Sequence, residues 1–160
     1  MTSKSPLALT FSVPFAPIPS PRPRVVVRGK FPTVYMPAEY MDWKKAVAQY
    51  VRDSGLAAPE GHFESPVVVR LTCQVPAPKT TKLNHPKPDV DNYAKSVLDA
   101  FNDSEVLWKD DAQVIGLSVV KTWSDAEGGV DVTINYAPAP ELLAEMARGT
   151  VLSGPQDPGT

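Results

Sequence analysis

Prolines restrict the first quarter of this 160-residue chain more than any other feature does. Eight of the 18 prolines lie within the first 37 residues, where each removes a backbone donor and keeps the preceding residue out of the helical region. This part of the chain is therefore expected to be extended. Residues 7–13 alternate between larger apolar and small side chains, which predicts a first strand that Pro14 ends. Residues 15–24 are expected to form a stiff extended ribbon, followed by a second strand at 31–35.

Apolar residues recur with helical spacing in two later segments. The first helix is predicted to begin at Pro37, a favourable first-turn residue, and to stop at Gly55. The second helix has the strongest pattern in the chain, with apolar residues at positions i, i+3, i+4, i+7, i+8 and i+11 over residues 90–101. The opposite, polar face of this second helix carries Asp91, Lys95 and Asp99.

Alternating apolar and polar residues predict three more strands, at 66–75, 114–123 and 130–136. The first of these is expected to be central, and the last two to form an antiparallel hairpin across Glu127-Gly-Gly129. We therefore expect an α+β fold, a mixed and mostly antiparallel sheet packed by two helices in a single domain. That domain is expected to span residues 1–136. The tail, 137–160, is expected to be partly disordered, with one short helix at 141–148.

Cysteine usage and the lengths of the apolar runs exclude several classes of protein. Cys73 is the only cysteine, so the chain can form neither an internal disulfide nor a clustered-cysteine zinc site. A reducing, cytoplasmic setting is the expectation. The apolar runs are far shorter than the roughly 20 residues of a membrane span, so we expect no association with a membrane.

Charge is distributed unevenly along the chain, although the formal net charge is only -2. Residues 1–36 contain five basic and no acidic residues, 37–95 contain eight basic and seven acidic, and 96–160 contain three basic and 11 acidic. A basic arm joined to an acidic half is typical of a protein that contacts phosphates with one surface and holds a metal with another. Solvated faces charged by chance explain the same distribution about as well.

Asp89 and Asp91 form the first candidate site. Within a helix, residues at i and i+2 point about 200° apart and cannot share a ligand. Pro88 changes this, because Asp89 can then be an extended N-cap while Asp91 lies in the first turn, and the two carboxylates converge. The helix N-terminus also favours their ionised forms. The simpler alternative makes Asp89 a plain cap and the acids at 91 and 99 part of an i, i+4 charge ladder with Lys95.

Asp110 and Asp111 are adjacent acids between Trp108 and a predicted strand, and they can equally form an ordinary turn. If they meet the first pair, two carboxylates about 4 Å apart repel by roughly 4 kcal/mol at an effective dielectric constant of 20. Such a cluster needs a cation. Lys95 supplies one positive charge, and Mg²⁺ is the divalent ion that prefers oxygen ligands.

Four stretches of the sequence together resemble one known family. They are Asp89-Val-Asp-Asn-Tyr-Ala-Lys95 with its continuation to Phe101, Val106-Leu-Trp-Lys-Asp-Asp-Ala-Gln-Val114, Val119-Val-Lys121, and the earlier Pro19-Ser-Pro-Arg-Pro-Arg24. They closely resemble the RusA family of Holliday junction resolvases, which is found in bacteriophages and prophages. The resemblance runs from about residue 7 to residue 136 and is most specific over 88–121.

The resemblance implies a set of site residues and a mechanism. Asp89, Asp91 and Asp111 correspond to three aspartates that bind Mg²⁺, and Lys95 corresponds to an assisting lysine. Asp110 is a lesser candidate. The implied reaction is hydrolysis of the DNA backbone to leave a 5′-phosphate, and the implied assembly is a homodimer that nicks two opposed strands of a four-way junction. Some members carry a run of arginines before the first aspartate, where this chain has His85-Pro-Lys-Pro88.

Other residues have weaker assignments. The predicted DNA-binding residues are Arg22, Arg24, Arg28, Lys30 and Lys87, with Lys79 and Lys82 in the same loop as the last of these. Lys121 either reaches the site or faces solvent. The tryptophans are expected in the core or a dimer interface, and the sequence does not select an aromatic wedge for the crossover. His62 and His85 are expected at the surface.

Two other functions are compatible with the sequence. A DNA-binding module that recognises branched DNA without cutting it would use the same basic arm, although three acids on that surface would repel phosphate unless a metal were bound. An assembly protein would use the acids only as caps and turns.

Overall fold

The computed structural model describes residues 7–148. The end of the tail that is predicted to be disordered lies largely outside the described residues. In chain order the elements are β1 (Ala8–Val13), β2 (Arg24–Arg28), β3 (Phe31–Tyr35), α1 (Ala38–Asp53), β4 (Val67–Pro76), α2 (Val90–Ser104), a 3₁₀ turn (Asp111–Gln113), β5 (Val114–Ser124), β6 (Gly129–Tyr136) and α3 (Pro140–Arg148). The helix expected at 141–148 is present as α3.

The main sheet has four strands in the order β1-β6-β4-β5. β6 is antiparallel to both of its neighbours, β1 and β4, whereas β4 and β5 run parallel. A second, two-stranded sheet consists of β2 and β3. The α+β class, the mixed and mostly antiparallel sheet and the central position of β4 are therefore confirmed.

The predicted hairpin between β5 and β6 is wrong. β6 pairs with β1 and β4, and β5 pairs with β4 in parallel. Val130, Val132 and Ile134 are buried, so β6 is suited to an inner position of the sheet. The short connection after β5 crosses one intervening strand, a span of about 10 Å that four residues can cover. Gly128 is required there, because φ is +83° and a Cβ would lie 2.5 Å from the carbonyl oxygen of Gln74.

The extended ribbon predicted up to residue 24 is followed by a strand that the proline pattern does not indicate. β2 pairs with β3 in register from Arg24–Tyr35 to Arg28–Phe31, and Gly29, with φ +68°, forms the turn with Lys30. The segment 24–28 contains no proline and three consecutive valines, which favour a strand. The basic residues of the arm therefore lie mainly on a hairpin instead of a single ribbon. β3 was expected as a strand, and this is confirmed.

Both helices pack on the sheet through the faces that the sequence predicts. Pro37 is the N-cap of α1, so the helix begins one residue later than predicted, and Gly55 follows its end with φ +71°. The core includes Trp43, Val47, Val51, Tyr93, Val97, Phe101, Leu107 and Trp108, together with inward side chains of β4 and β6. Burial raises the pKa of the Cys73 thiol to about 11, so this group stays protonated at neutral pH. None of the helices within residues 7–148 has the length and hydropathy that crossing a membrane requires.

Candidate active site

A cavity of about 490 Å³ lies between α2 and β5. Its apolar wall consists of Val90, Ala94, Leu98, Leu117 and Val119. Its polar side chains are Asp91, Lys95, Asp99 and Asp111. The fold therefore places three of the four predicted catalytic residues, from two separate segments of the chain, around one cavity. Asp89 does not line this cavity.

The start of α2 has the backbone geometry that the sequence predicts. Asp89 is the N-cap residue, with extended dihedral angles of φ −65° and ψ 143°, and its side chain makes no capping hydrogen bond. Its carboxylate is exposed, so this side chain does not stabilise the helix in the way that the simple capping alternative requires. Asp91 is also exposed, and its Oδ1 accepts a hydrogen bond from the backbone N–H of Asn92 at 3.1 Å.

Lys95 forms an ion pair with Asp99 one turn along α2. The Lys95 Nζ to Asp99 Oδ2 distance is 3.2 Å, and the exposed fractions of the two side chains are 63% and 26%. This pair is one half of the charge ladder considered above, and an exposed pair of this kind contributes little stability. Asp99 is not among the site residues that the sequence motif identifies. Its spacing places it on one stripe of the helix with residues 91 and 95, but this spacing does not show that another segment of the chain faces the stripe.

The 3₁₀ turn fixes the position of Asp111. The Asp110 carboxylate accepts a hydrogen bond from the Ala112 N–H at 3.2 Å, and Gln113 Oε1 accepts the N–H groups of Lys109 and Asp110, both at 2.9 Å. Asp110 and Gln113 thus form a capping box. The turn interpretation therefore applies to Asp110, whereas its neighbour Asp111 lines the cavity.

Asp111 lies in an unfavourable environment for a negative charge. Its pKa is raised, first by burial, and then by the neighbouring carboxyl groups of Asp110 and Asp99, while a hydrogen bond from Asn102 opposes the shift. Asp91 lies at the other end of the cavity, since the eight residues from Asp91 to Asp99 span about 12 Å of helix. Within residues 7–148, no three carboxylate, imidazole or thiol groups lie near enough to one another to hold a metal ion. A shared ion therefore requires these carboxylates to approach one another.

Lys121 holds the loop that leads into α2. Its ammonium group donates hydrogen bonds to the carbonyl oxygens of Pro86 at 2.8 Å and Pro88 at 2.7 Å. The indole N–H of Trp123, two residues further along β5, donates to the carbonyl oxygen of Leu83 at 2.9 Å. Lys121 therefore acts on the residue immediately before Asp89 and faces neither open solvent nor the cavity itself.

The predicted DNA-binding residues are all exposed. Arg22 precedes the β2–β3 hairpin, Arg24, Arg28 and Lys30 lie on it, and Lys87 lies in the loop before α2. The backbone N–H of Ser20 donates a hydrogen bond to the carbonyl oxygen of Asn92 at 2.9 Å. The chain therefore passes the first turn of α2 shortly before it enters the hairpin.

Comparison with known proteins gives one matching family model and one similar protein. The family model described as Endodeoxyribonuclease RusA matches residues 14–135, which contain both acidic segments and the basic hairpin. The chain is also 32% identical over 145 residues to a protein of Bacillus subtilis (strain 168) named "Uncharacterized protein YqaN", an alignment that covers 82% of this chain and 98% of that protein. From these matches we conclude that the chain belongs to the RusA endodeoxyribonuclease family.

Proposed function

We propose that this protein is a Mg²⁺-dependent endodeoxyribonuclease that resolves Holliday junctions and other branched DNA. One observation carries the proposal. The cavity between α2 and β5 joins Asp91 and Lys95 from one segment to Asp111 from another, in a chain of the RusA family. The proposed reaction is phosphodiester hydrolysis by paired, symmetric nicks that leave 5′-phosphate ends.

The chemistry of the donors supports Mg²⁺ as the cofactor. The proposed ligands, Asp89, Asp91 and Asp111, offer carboxylate oxygens, which Mg²⁺ prefers, and Asp99 is a further candidate. Burial and the neighbouring acids raise the pKa of Asp111, and a cation would compensate the charge that they disfavour. When bound, Mg²⁺ supplies a Lewis acid that activates water and stabilises charge on a phosphate.

Lys95 is suited to hold the phosphate that is cut. Its side chain is 63% exposed, and its partner in the structure is a single carboxylate, that of Asp99. A phosphate that enters the cavity can replace this partner at small energetic cost, because exposed ion pairs are weak. The ammonium group then offsets the negative charge that develops on the phosphate during hydrolysis.

The proposed substrate is branched DNA, bound by a homodimer. Exposed basic residues on the hairpin and at Lys87 match the charge of the phosphate backbone. A four-way junction has near two-fold symmetry, so two identical subunits can present equivalent sites to two opposed strands. Sedimentation of the protein at micromolar concentration tests the dimer.

The decisive experiment uses the purified protein and a labelled synthetic four-way junction, with linear duplex of the same sequence beside it. We expect paired nicks in the junction only, and only when Mg²⁺ is present. Asp91→Asn is expected to reduce the rate at least about 100-fold, the upper range found when a residue that only supports a metal ligand is removed. The Asp91→Asn variant should still bind the junction.

The matched control is Asp125→Asn, which changes an exposed acid in the loop after β5 and should cut at the rate of the unmodified protein. Junction binding without cutting by the unmodified protein would instead support a non-catalytic branched-DNA-binding module. Failure to bind DNA at all would refute both functions.

A further inference from the structure

The β2–β3 hairpin has two different faces. Residues paired across the strands point to the same face, and successive residues alternate between faces. One face therefore carries two arginine–aromatic pairs, Arg24 with Tyr35 and Arg28 with Phe31. The opposite face carries Val25, Val27, Pro32 and Val34, which are uncharged. A hollow of about 310 Å³ on the first face is lined by Val26, Arg28, Thr33 and Tyr35.

Phe31 is the most exposed large apolar side chain in the described part of the chain, at 78%. It directly follows the turn at Gly29 and Lys30 and so lies at the tip of the hairpin. Tyr35, at the base of the same face, is 44% exposed. Exposing an aromatic ring to water is unfavourable, and a ring between basic side chains is typical of a surface that binds nucleic acid.

The hairpin begins near the start of α2, which borders the cavity. The Ser20 N–H is hydrogen-bonded to the carbonyl oxygen of Asn92, which is adjacent to Asp91, and β2 begins four residues after Ser20. Four residues reach at most about 14 Å, so the base of the hairpin lies close to the start of α2. Each strand of five residues extends about a further 17 Å. The tip can therefore contact DNA that reaches from the cavity along the hairpin.

We propose that the arginine–aromatic face of this hairpin binds the branch point of the DNA, where the Phe31 ring stacks on a base that is not fully stacked in a duplex. This inference rests on the proposed function and identifies the contact that distinguishes branched from linear DNA. In a continuous duplex both faces of each base are covered, so stacking of Phe31 requires the duplex to open. At a branch point that opening is already partly achieved.

Charge favours DNA over protein as the occupant of this face. The first 36 residues contain five basic residues and no acid, so the hairpin repels a second copy of its own arginines and attracts phosphate. Arg24 and Arg28 can each hold a backbone phosphate beside the stacked base. The valine face contains no charge and is not part of the proposal.

The test separates binding from cutting by using Asp91→Asn as the parent protein. Its affinity is measured for a four-way junction with 2-aminopurine at the crossover and for linear duplex of the same sequence. We expect the added substitution Phe31→Ala to weaken junction binding at least about fivefold, the lower range of base–aromatic stacking. It should also reduce the fluorescence increase of 2-aminopurine on binding and leave the affinity for linear duplex unchanged.

Two further variants control for indirect effects. Phe31→Trp should restore junction affinity, because the indole ring also stacks, but not the fluorescence increase, because a stacked indole quenches 2-aminopurine. Val27→Ala removes a side chain that is 69% exposed on the opposite face and should leave both properties unchanged. Circular dichroism checks that each variant is folded.

The inference is overturned if Phe31→Ala weakens the binding of junction and linear duplex equally, or weakens neither. It is also overturned if the substitution converts a dimer to a monomer in sedimentation, since Phe31 would then act through a second copy of the chain. Failure of the proposed function has a different signature, namely an unmodified protein that does not cut branched DNA in Mg²⁺.

Discussion

Asp111 combines an unfavourable charge with a position in the cavity. Burial and the nearby acids raise its pKa above the ordinary value, so the folded protein holds the proton more tightly than the unfolded chain does. The stability that this proton provides is complete below the unfolded pKa of about 3.9 and is lost as the pH rises through the higher folded pKa. The ionised side chain therefore destabilises the fold at neutral pH.

We expect Asp111→Asn to raise the Tm at pH 7 by on the order of 1 °C, a small effect because the side chain is partly exposed. The difference should disappear near pH 3.5, where the carboxyl group is protonated in both the folded and the unfolded states. Calorimetry from pH 3.5 to pH 8 measures it, with Asp125→Asn as the control. A difference that is independent of pH would contradict the prediction.

Bound Mg²⁺ should stabilise the fold, because it compensates the charge of the ionised Asp111 side chain. We expect Mg²⁺ at about 100 times its Kd to stabilise the unmodified protein by about 2.7 kcal/mol, which follows from mass action alone. Thermal unfolding with Mg²⁺ and after its removal by a chelator measures this shift. Asp91→Asn and Asp111→Asn should lose most of it. If Asp89→Asn keeps the full stabilisation by Mg²⁺ and Asp99→Asn loses it, then Asp99 and not Asp89 is the metal ligand.

The site residues could be predicted from the sequence to different degrees. The placement of Asp91, Lys95 and Asp111 around one cavity could be predicted, because helical spacing and the resemblance of two short segments point to the same side chains. That of Asp99 could not, since periodicity shows that a residue lies on the polar face of a helix but not that another segment faces it. The extended conformation of Asp89 follows from Pro88, a local effect that needs no knowledge of the fold.

At the scale of elements, β5 positions the loop before α2 through Lys121. We expect Lys121→Met to lower the free energy of unfolding by about 1–3 kcal/mol, because two hydrogen bonds from a charged donor to carbonyl oxygens are lost. Urea denaturation measures this value. Hydrogen exchange should increase over residues 83–89, and junction cleavage should slow.

Lys82→Met is the matched control, because this lysine is exposed in the same loop. It should change neither stability nor hydrogen exchange. Faster exchange spread over the whole chain of Lys121→Met would indicate general destabilisation and would contradict a specific role in holding the loop.

Elements with strong local patterns could be predicted from the sequence, but the neighbours with which the strands pair could not. The strands and helices of the main domain follow from alternation and helical spacing, but the pairing of β5 and β6 does not. Both segments satisfy the pattern of a hairpin, and the choice depends on which strand best fills the inner position beside β4. β2 was not predicted for a different reason, since nearby prolines indicate an extended chain without indicating a partner.

At the scale of the molecule, the separation of charge should make DNA binding sensitive to salt. Five basic contacts per protomer, at Arg22, Arg24, Arg28, Lys30 and Lys87, make ten in the proposed homodimer and predict a slope of about −9 for log affinity against log salt concentration, from about 0.9 for each contact. Arg24→Ala combined with Arg28→Ala removes two contacts from each protomer and should reduce the magnitude of this slope by about 3.6. Titration of Asp91→Asn with DNA from low to high KCl measures the slope.

Arg70→Ala is the matched control, because this exposed arginine lies on β4, outside the hairpin and the cavity. It should leave the slope unchanged. An unchanged slope in the hairpin variant would show that the DNA backbone follows another surface.

The hairpin lies outside the four-stranded sheet and is joined to the rest of the domain through residues 14–23 and 36–37. The residues proposed for hydrolysis all come from a later, continuous stretch of the chain, 89–111. The two parts can therefore be exchanged independently. Grafting residues 22–36 of another member of the family onto this chain should transfer the DNA preference of the donor while the recipient keeps its own chemistry, which makes the hairpin the natural place to redesign the targets of the enzyme.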